Sequence, residues 1–153
     1  MIAVTLSKAE PAHYACPMTG AISNALSGAI AAARREEVVA SNVANLRSRA
    51  APKNSTDTTA ADGTPLFRPG QVVETSVQTG GVRASIVSVD PTSIQQFEPD
   101  ASDASAEGFV DRPNVDLGQQ QANQIVAQRA FQANLKVIQV ADELERSLLD
   151  IKS

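Results

Sequence analysis

The chain has no tryptophan, one cysteine and one histidine among its 153 residues, and aromatic side chains make up only 3% of it. Because Cys16 is alone, no disulfide can form within the chain, and the redox compartment stays open. His13 stands close before Cys16, so a Cys–His nucleophile pair is conceivable, but no further Cys or His could complete a zinc site. We therefore expect no catalytic residue, no cofactor and no metal, and an enzyme that uses His13 and Cys16 is the weakest alternative.

The chain also lacks an excess of positive charge and a long apolar run. Its 17 acidic residues outnumber 13 basic ones, which gives no reason to expect nucleic acid as a partner. No run approaches the roughly 20 apolar residues that cross a bilayer. The N-terminus has no basic segment leading into an apolar core, so we expect no cleaved signal peptide. The sequence shows no sign of a small-molecule substrate either.

The C-terminal stretch has the strongest periodicity in the chain. From Gln119 onward it contains neither Gly nor Pro, and its apolar residues recur at steps of three and four. The pattern predicts a helix over 117–151, started by Asp116 as a capping residue. Such a helix is about 50 Å long. A globule of this chain length is only about 40 Å across, so the helix needs a partner.

A second apolar stripe begins at Ile22 and continues to Leu46. It is rich in alanine, which lets another helix approach closely, whereas the C-terminal stripe carries larger side chains. We expect the two helices to pack on each other or on copies in neighbouring subunits, as a coiled-coil-like pair. An ordinary helical core is the plainer alternative. The residues expected to form this assembly seam are Ile22, Leu26, Ile30, Val39, Val43, Phe131, Leu135, Ile138, Leu144, Leu148 and Ile151.

Between the helices the period changes from helical to alternating. Apolar and polar residues alternate on both sides of Gly80-Gly81, which predicts a β-hairpin. The segment between Pro91 and Pro99 is expected to be irregular. The predicted fold class is thus α+β, with long N- and C-terminal α-helices around a small β-rich middle module. The predicted segments are a flexible leader (1–20), an N-terminal helix (21–47), a linker (48–70), the β module (71–112) and the C-terminal helical segment (113–153).

Two short motifs resemble a known family. The run Ser41, Asn42, Val43, Ala44 and Asn45 resembles the N-terminal signature of bacterial flagellar axial proteins, which include rod and hook proteins. Near the other end, Pro113, Asn114, Val115 and Asp116, followed by a Gln-Arg-Ala-Phe-Gln-Ala-Asn run ending at Asn134, look like the rod proteins of the proximal type. The sequence departs from the family pattern after Asn45 and in the polar stretch 101–106.

This resemblance implies a non-enzymatic structural subunit whose terminal helices polymerise into the periplasmic rod of the flagellar basal body and transmit torque. The implied partners are copies of itself, other rod proteins and the flagellar type III export apparatus. The two motifs are the implied assembly motif: Ser41, Asn42, Val43, Ala44, Asn45, Pro113, Asn114, Val115, Asp116 and Asn134. Two alternatives stay open at this point, namely another axial protein and a soluble coiled-coil adaptor or chaperone.

Overall fold

The computed structural model describes residues 17–52, 55, 57–60 and 62–152. Within them lie two long helices and four strands, and the strands pair as two separate antiparallel hairpins. The predicted α+β class, with long terminal helices around a small β-rich middle, is confirmed. The elements are α1 (Pro17–Ala44), β1 (Gly70–Ser76), β2 (Val82–Ser88), β3 (Ser93–Phe97), β4 (Phe109–Pro113) and α2 (Leu117–Lys152).

The two helices pack against each other, as the stripes predict, and run in antiparallel directions. Asn42 near the end of α1 meets Gln120 near the start of α2, and Gly28 lies against Asn134. The two contacts are separated by the same number of residues in both helices, so the helices keep one register between them. The alanine-rich stripe of α1 is partly buried, but the most buried side chains of α2 are alanines rather than the larger residues that the prediction placed against that stripe. The buried alanines of the two helices are Ala25, Ala29, Ala31, Ala32, Ala127 and Ala141.

The helix bounds differ from the predicted segments at the N-terminal side. Helix α1 begins at Pro17, inside the segment expected to be a leader, and ends at Ala44. The rest of that leader, including His13 and Cys16, lies outside the described residues. Helix α2 begins at Leu117 as predicted. The backbone N–H of Gln119 donates to Asp116 Oδ1 at 2.8 Å, so Asp116 caps this helix.

The first hairpin forms where the alternating pattern predicts it. Its register runs from Gly70 opposite Ser88 to Ser76 opposite Val82. Gly80 and Gly81 adopt φ angles of 98° and 82°, which only glycine reaches without strain, and thereby close the turn.

The second hairpin is a correction to the prediction. The segment between Pro91 and Pro99, expected to be irregular, contains β3, which pairs with β4 from Ser93 opposite Pro113 to Phe97 opposite Phe109. The pairing crosses a long polar connection, so no tight-turn signal marks it in the sequence. Strand pairing across such a distance depends on tertiary contacts rather than on local pattern.

Each hairpin is attached to a different part of the chain. The first hairpin packs on α1, where the Val82 N–H donates to Ser27 Oγ at 3.1 Å and Arg35 pairs with Glu74 at 2.9 Å. The second hairpin is attached to the segment that follows α1, through a hydrogen bond from the Ala50 N–H to the Asp111 carbonyl at 3.1 Å. The side chain of Ala50 is buried, so the predicted linker is held in place at this point.

Arg112 on β4 reinforces that attachment. Its guanidinium pairs with Glu98 at 2.7 Å and with Asp103 at 3.3 Å, and it donates to the Arg47 carbonyl at 3.2 Å. The hydrogen bond to Glu98 is the main cause that raises the pKa of Arg112. Asp103 also lies 3.7 Å from Arg49, so two arginines from different segments share one half-buried carboxylate.

Candidate assembly interface

Asn42 is the side chain on which the helices and the first hairpin converge. It is 2% exposed, and its Nδ2 donates to the Gly70 carbonyl at 2.9 Å and to Gln120 Oε1 at 3.3 Å. The Gly70 N–H donates back to Asn42 Oδ1 at 3.1 Å. A buried amide costs free energy unless its donors and acceptor are used, and here they are. The first half of the assembly motif therefore contains a joint between α1, β1 and α2.

The neighbours of Asn42 in the motif have a different role. Asn45 donates from Nδ2 to the Ser41 carbonyl at 2.9 Å, and its Oδ1 accepts from Ser48 Oγ at 3.1 Å. These bonds satisfy backbone and side-chain groups at the C-terminal end of α1. Val43 and Ala44 remain exposed beside them. The motif thus combines a helix end with an apolar surface that none of the described residues covers.

The second half of the motif forms the turn between β4 and α2. Pro113 is fully buried at the end of β4. Asn114 donates from Nδ2 to the Pro91 carbonyl at 2.9 Å, and its backbone N–H donates to the Thr92 carbonyl at 3.1 Å. Val115 is half-buried, and Asp116 caps α2 as described above. These four residues set the direction in which α2 leaves the second hairpin.

Asn134 lies at a close approach of the two helices, opposite Gly28. Its Nδ2 donates to the Ala130 carbonyl of its own helix at 2.8 Å, and a Cβ added to Gly28 would stand 2.7 Å from its Oδ1. That space exists only because residue 28 has no side chain. The sequence prediction missed Gly28, although a glycine inside an alanine-rich helical stripe is a signal of close backbone approach.

A groove of about 500 Å³ lies beside the joint at Asn42, between β1, α1 and the start of α2. Amide side chains such as Asn114, Gln119 and Asn123 line it, with Arg35 and Asp116 as its charged groups. Over the described residues, no group of three His, Cys, Asp or Glu side chains is placed to hold a metal ion. The groove presents hydrogen-bonding groups rather than an arrangement suited to acid–base or nucleophilic chemistry.

The predicted seam residues divide into two groups. Val39 is buried, and Ile22, Phe131 and Ile138 are half-buried, so these four contribute to packing within the chain. The remaining seam residues are exposed: Leu26, Ile30, Val43, Leu135, Leu144, Leu148 and Ile151. The structure therefore brings only part of the predicted seam together inside one subunit.

Helix α2 carries a second apolar stripe beside the one that faces α1. The exposed residues of this stripe are Val126, Val137, Val140, Leu144, Leu148 and Ile151. The spacings of eleven, three, four, four and three positions bring them to one flank of the helix. Leu148 is 58% and Ile151 80% exposed, well above the exposure of an ordinary core residue. Three of these residues, Val126, Val137 and Val140, were not in the predicted seam.

The apolar flank does not make α2 a membrane helix. Neither described helix is long and apolar enough to cross a bilayer. The α2 sequence interleaves the apolar residues with charged ones such as Asp142, Glu143 and Arg146 on other sides of the helix. An apolar flank on an otherwise polar helix is typical of a helix that packs against another protein helix.

Comparison with known proteins identifies the family. Residues 106–151 match the family model described as flagellar basal body rod FlgEFG protein C-terminal. The flagellar basal-body rod protein FlgC of Yersinia enterocolitica is 36% identical over 120 residues, which cover 74% of this chain and 82% of that protein. The FlgC of Salmonella typhimurium is 35% identical over 114 residues, which cover 71% and 78%.

A rod protein of a different name is similar over a shorter region. The flagellar basal-body rod protein FlgG of Bacillus subtilis is 36% identical over 70 residues, 46% of this chain and 26% of that protein. The FlgC relatives match over most of both sequences, as a shared whole fold requires. The chain therefore belongs to the FlgC family of flagellar basal-body rod proteins, and its role is a structural one in that rod.

Proposed function

We propose that the chain polymerises through its two terminal helices into the rod of the flagellar basal body. The observation that carries this proposal is the exposed apolar flank of α2, which ends in Leu144, Leu148 and Ile151 with no cover from the described chain. Fully burying one such side chain stabilises by about 1.5–3 kcal/mol. An isolated subunit therefore forgoes several kcal/mol that neighbouring subunits supply.

Helix α1 contributes a complementary surface. Leu26 and Ile30 are 52% and 56% exposed, and they lie on a different side of α1 from Ala25 and Ala32, which are buried. The paired helices thus offer apolar side chains on more than one side. A rod built of several neighbours around each subunit needs such a distribution, whereas a two-subunit coiled coil needs only one apolar seam. This distribution favours polymerisation over the coiled-coil adaptor alternative.

The proposed partners are copies of this chain and other rod proteins, which fits the relatives' description as rod proteins. We also propose that the chain reaches the periplasm through the flagellar type III export apparatus without a cleaved signal peptide. Family membership supports this route. The proposal assigns no catalytic role to the chain.

The proposed transmission of torque rests on how the hairpin is attached. Asn42 binds Gly70 on β1 and Gln120 on α2, so the first hairpin cannot turn relative to the helix pair without breaking buried hydrogen bonds. Such bonds are costly to leave unmade. A twist applied to the helices would therefore be passed to the middle module rather than lost in a loose joint.

Cell fractionation tests the assembly proposal. The chain is expressed with a small epitope tag in an exposed loop, and its location is compared after osmotic shock and after purification of basal bodies. We expect it to copurify with detergent-resistant basal bodies. Recovery in the soluble cytosolic fraction alone would favour the adaptor or chaperone and contradict the rod role.

A further inference from the structure

Each hairpin exposes one apolar face, and the charged residues around the two faces are of opposite sign. One side of the second hairpin, here named the aromatic face, carries the exposed residues Gln95, Phe97 and Phe109 and the half-buried Asp111. The outer side of the first hairpin, here named the valine face, carries Val73, Thr75, Arg83 and Val87. We propose that the aromatic face of one copy binds the valine face of the next copy in the rod. This inference rests on the proposed polymerisation and adds a second contact outside the helices.

The aromatic face is preorganised for binding. Phe97 is 66% and Phe109 43% exposed, with ring centroids 5.4 Å apart and planes at 65° in an edge-to-face arrangement. Gly108 adopts a φ of 81°, and a Cβ there would stand 2.9 Å from Phe97 Cε2, so the Phe97 ring lies against bare backbone. Because the rings are already held, little conformational freedom is lost on binding. Exposed aromatic side chains held in this way are typical centres of protein interfaces.

The valine face is the side of the first hairpin that does not pack on α1. Alternate residues of a strand point to opposite sides. Glu74 on the packed side pairs with Arg35 of α1. Val73 and Val87 on the opposite side are 42% and 38% exposed. The valine face therefore offers a flat, β-branched surface of the kind on which an aromatic ring packs well.

The charged residues around the two faces favour a second copy of this chain as the binding partner. Asp100 and Glu107 are exposed, stand next in sequence to Pro99 and Gly108, and make no ion pair among the described residues, and Gly108 lies against the Phe97 ring. The only base on that hairpin, Arg112, is already engaged by Glu98 and Asp103. Arg83 is the only charged residue of the valine face, and the described residues give it no acidic partner. The acidic and basic surroundings are thus complementary between copies.

The size of the contact explains why it belongs to the assembled rod. A fully buried aromatic side chain covers about 150–250 Å². The exposed part of two rings therefore falls well below the roughly 800 Å² that each partner of a stable interface buries. Two isolated subunits would not be held by it. Because the two faces differ, the contact repeats from copy to copy in one direction, which suits a ring or helical array.

Cysteine cross-linking tests this contact in the full chain. In a Cys16→Ser background, Gln95→Cys places a thiol on the aromatic face and Thr75→Cys places one on the valine face. Purified basal bodies are oxidised and the chain is followed on non-reducing gels. We expect a ladder of dimers and higher multimers when one chain carries both cysteines, and a single dimer when two chains carry one each.

A matched control uses the neighbouring strand position. Gln96→Cys lies on the opposite side of β3, so together with Thr75→Cys it should stay monomeric. Arg83→Glu should lower the yield of the Gln95–Thr75 cross-link several-fold, and Asp100→Arg with Glu107→Arg should restore it. A dimer from Gln95→Cys alone, or no cross-link in basal bodies that contain the chain, would overturn this contact and leave the rod role standing. Absence of the chain from basal bodies would overturn both.

Discussion

Asn42 and Gly70 exchange two hydrogen bonds at the point where the first hairpin meets the helix pair. Asn42 Nδ2 donates to the Gly70 carbonyl at 2.9 Å, and the Gly70 N–H donates to Asn42 Oδ1 at 3.1 Å. The side-chain amide thus takes the place of a neighbouring strand at the start of β1. Its further bond to Gln120 adds α2 to the same joint. One side chain therefore fixes the relative placement of three elements.

Asn42→Ala should destabilise the fold by about 1–3 kcal/mol, because it leaves both half-buried backbone groups of Gly70 without their side-chain partner. Urea unfolding of the purified chain, followed by circular dichroism, measures the change. Asn45→Ala is the matched control, since that side chain only serves the exposed end of α1, and it should cost about 1 kcal/mol or less. Equal losses from the two variants would show that Asn42 is not the joint.

The helix crossing predicts an unusual response to alanine at Gly28. Gly28→Ala should destabilise the native chain, since its Cβ would stand 2.7 Å from Asn134 Oδ1. With Asn134→Ala already present, the same change should stabilise by about 0.5–1 kcal/mol, because alanine is the better helix residue. Thermal unfolding of the native chain, the two single variants and the double variant forms a double-mutant cycle.

Gly20 provides the control for that cycle. It lies in the same helix with nothing within 4 Å of an added Cβ, so Gly20→Ala should stabilise in either background. If Gly28→Ala and Gly20→Ala had the same effect in the native chain, the close crossing at Asn134 would be disproved.

Removing Arg112 should loosen the second hairpin. Its side chain is 14% exposed and Asp103 beside it 15%, so Arg112→Ala leaves a poorly hydrated carboxylate and should cost about 1–3 kcal/mol. Arg34→Ala is the control, because the Arg34–Glu37 pair is exposed and should contribute about 0.5 kcal/mol or less. Denaturant unfolding compares the two.

The pH dependence of the stability lost in Arg112→Ala follows from the direction in which folding shifts the pKa of Arg112. The folded state raises the pKa of Arg112, so its stabilisation is fully present below the unfolded-state pKa and is lost only as pH rises through strongly alkaline values. The difference between Arg112→Ala and the native chain should therefore be constant between neutral and mildly alkaline pH. A difference that shrank over this range would require another titrating group.

The α2 flank should be needed for assembly but not for the subunit fold. Leu144→Asp with Leu148→Asp introduces two charges where neighbours would bury them, so we expect loss of rod assembly and of swimming. Because both residues are more than half exposed in the subunit, the helical circular dichroism signal should remain. Motility agar and basal-body purification measure assembly.

A charge-matched control lies elsewhere on α2. Gln121 and Gln124 are exposed and lie on another side of the helix from the apolar flank, so Gln121→Asp with Gln124→Asp adds the same charge about one turn apart. We expect this variant to swim. Normal motility of the Leu144 and Leu148 double variant would refute the flank as an assembly surface.

The sequence was most informative where structure is local. The spacing of apolar residues predicted both helices, Asp116 predicted the start of α2, and Gly80-Gly81 predicted the first hairpin. The motifs around Asn42 and Asn114 predicted the family. In each case neighbours along the chain carry the physical cause: helix capping, the period of 3.6, or a backbone turn that requires glycine.

The sequence was least informative where the cause lies far along the chain. Nothing near Phe97 indicates that β3 pairs with Phe109 across a polar connection, and nothing near Asn42 indicates its bond to Gln120. The apolar pattern also could not separate side chains buried within the subunit, such as Val39, from those left exposed, such as Leu144 and Ile151. Both kinds lie on helical stripes of the same period.

The amino-acid sequence by itself thus determined the two helices, the start of α2, the first hairpin and membership of a rod-protein family. Only the tertiary structure decided which apolar residues remain exposed on the surface of the subunit. Helix α1, with 28 described residues, covers one flank of the 36-residue α2 and leaves the adjacent flank open. The physical reason is geometric: a single helix can cover only one side of another. The period of the pattern specifies that α2 is amphipathic, whereas the position of α1 specifies which of its apolar residues remain exposed.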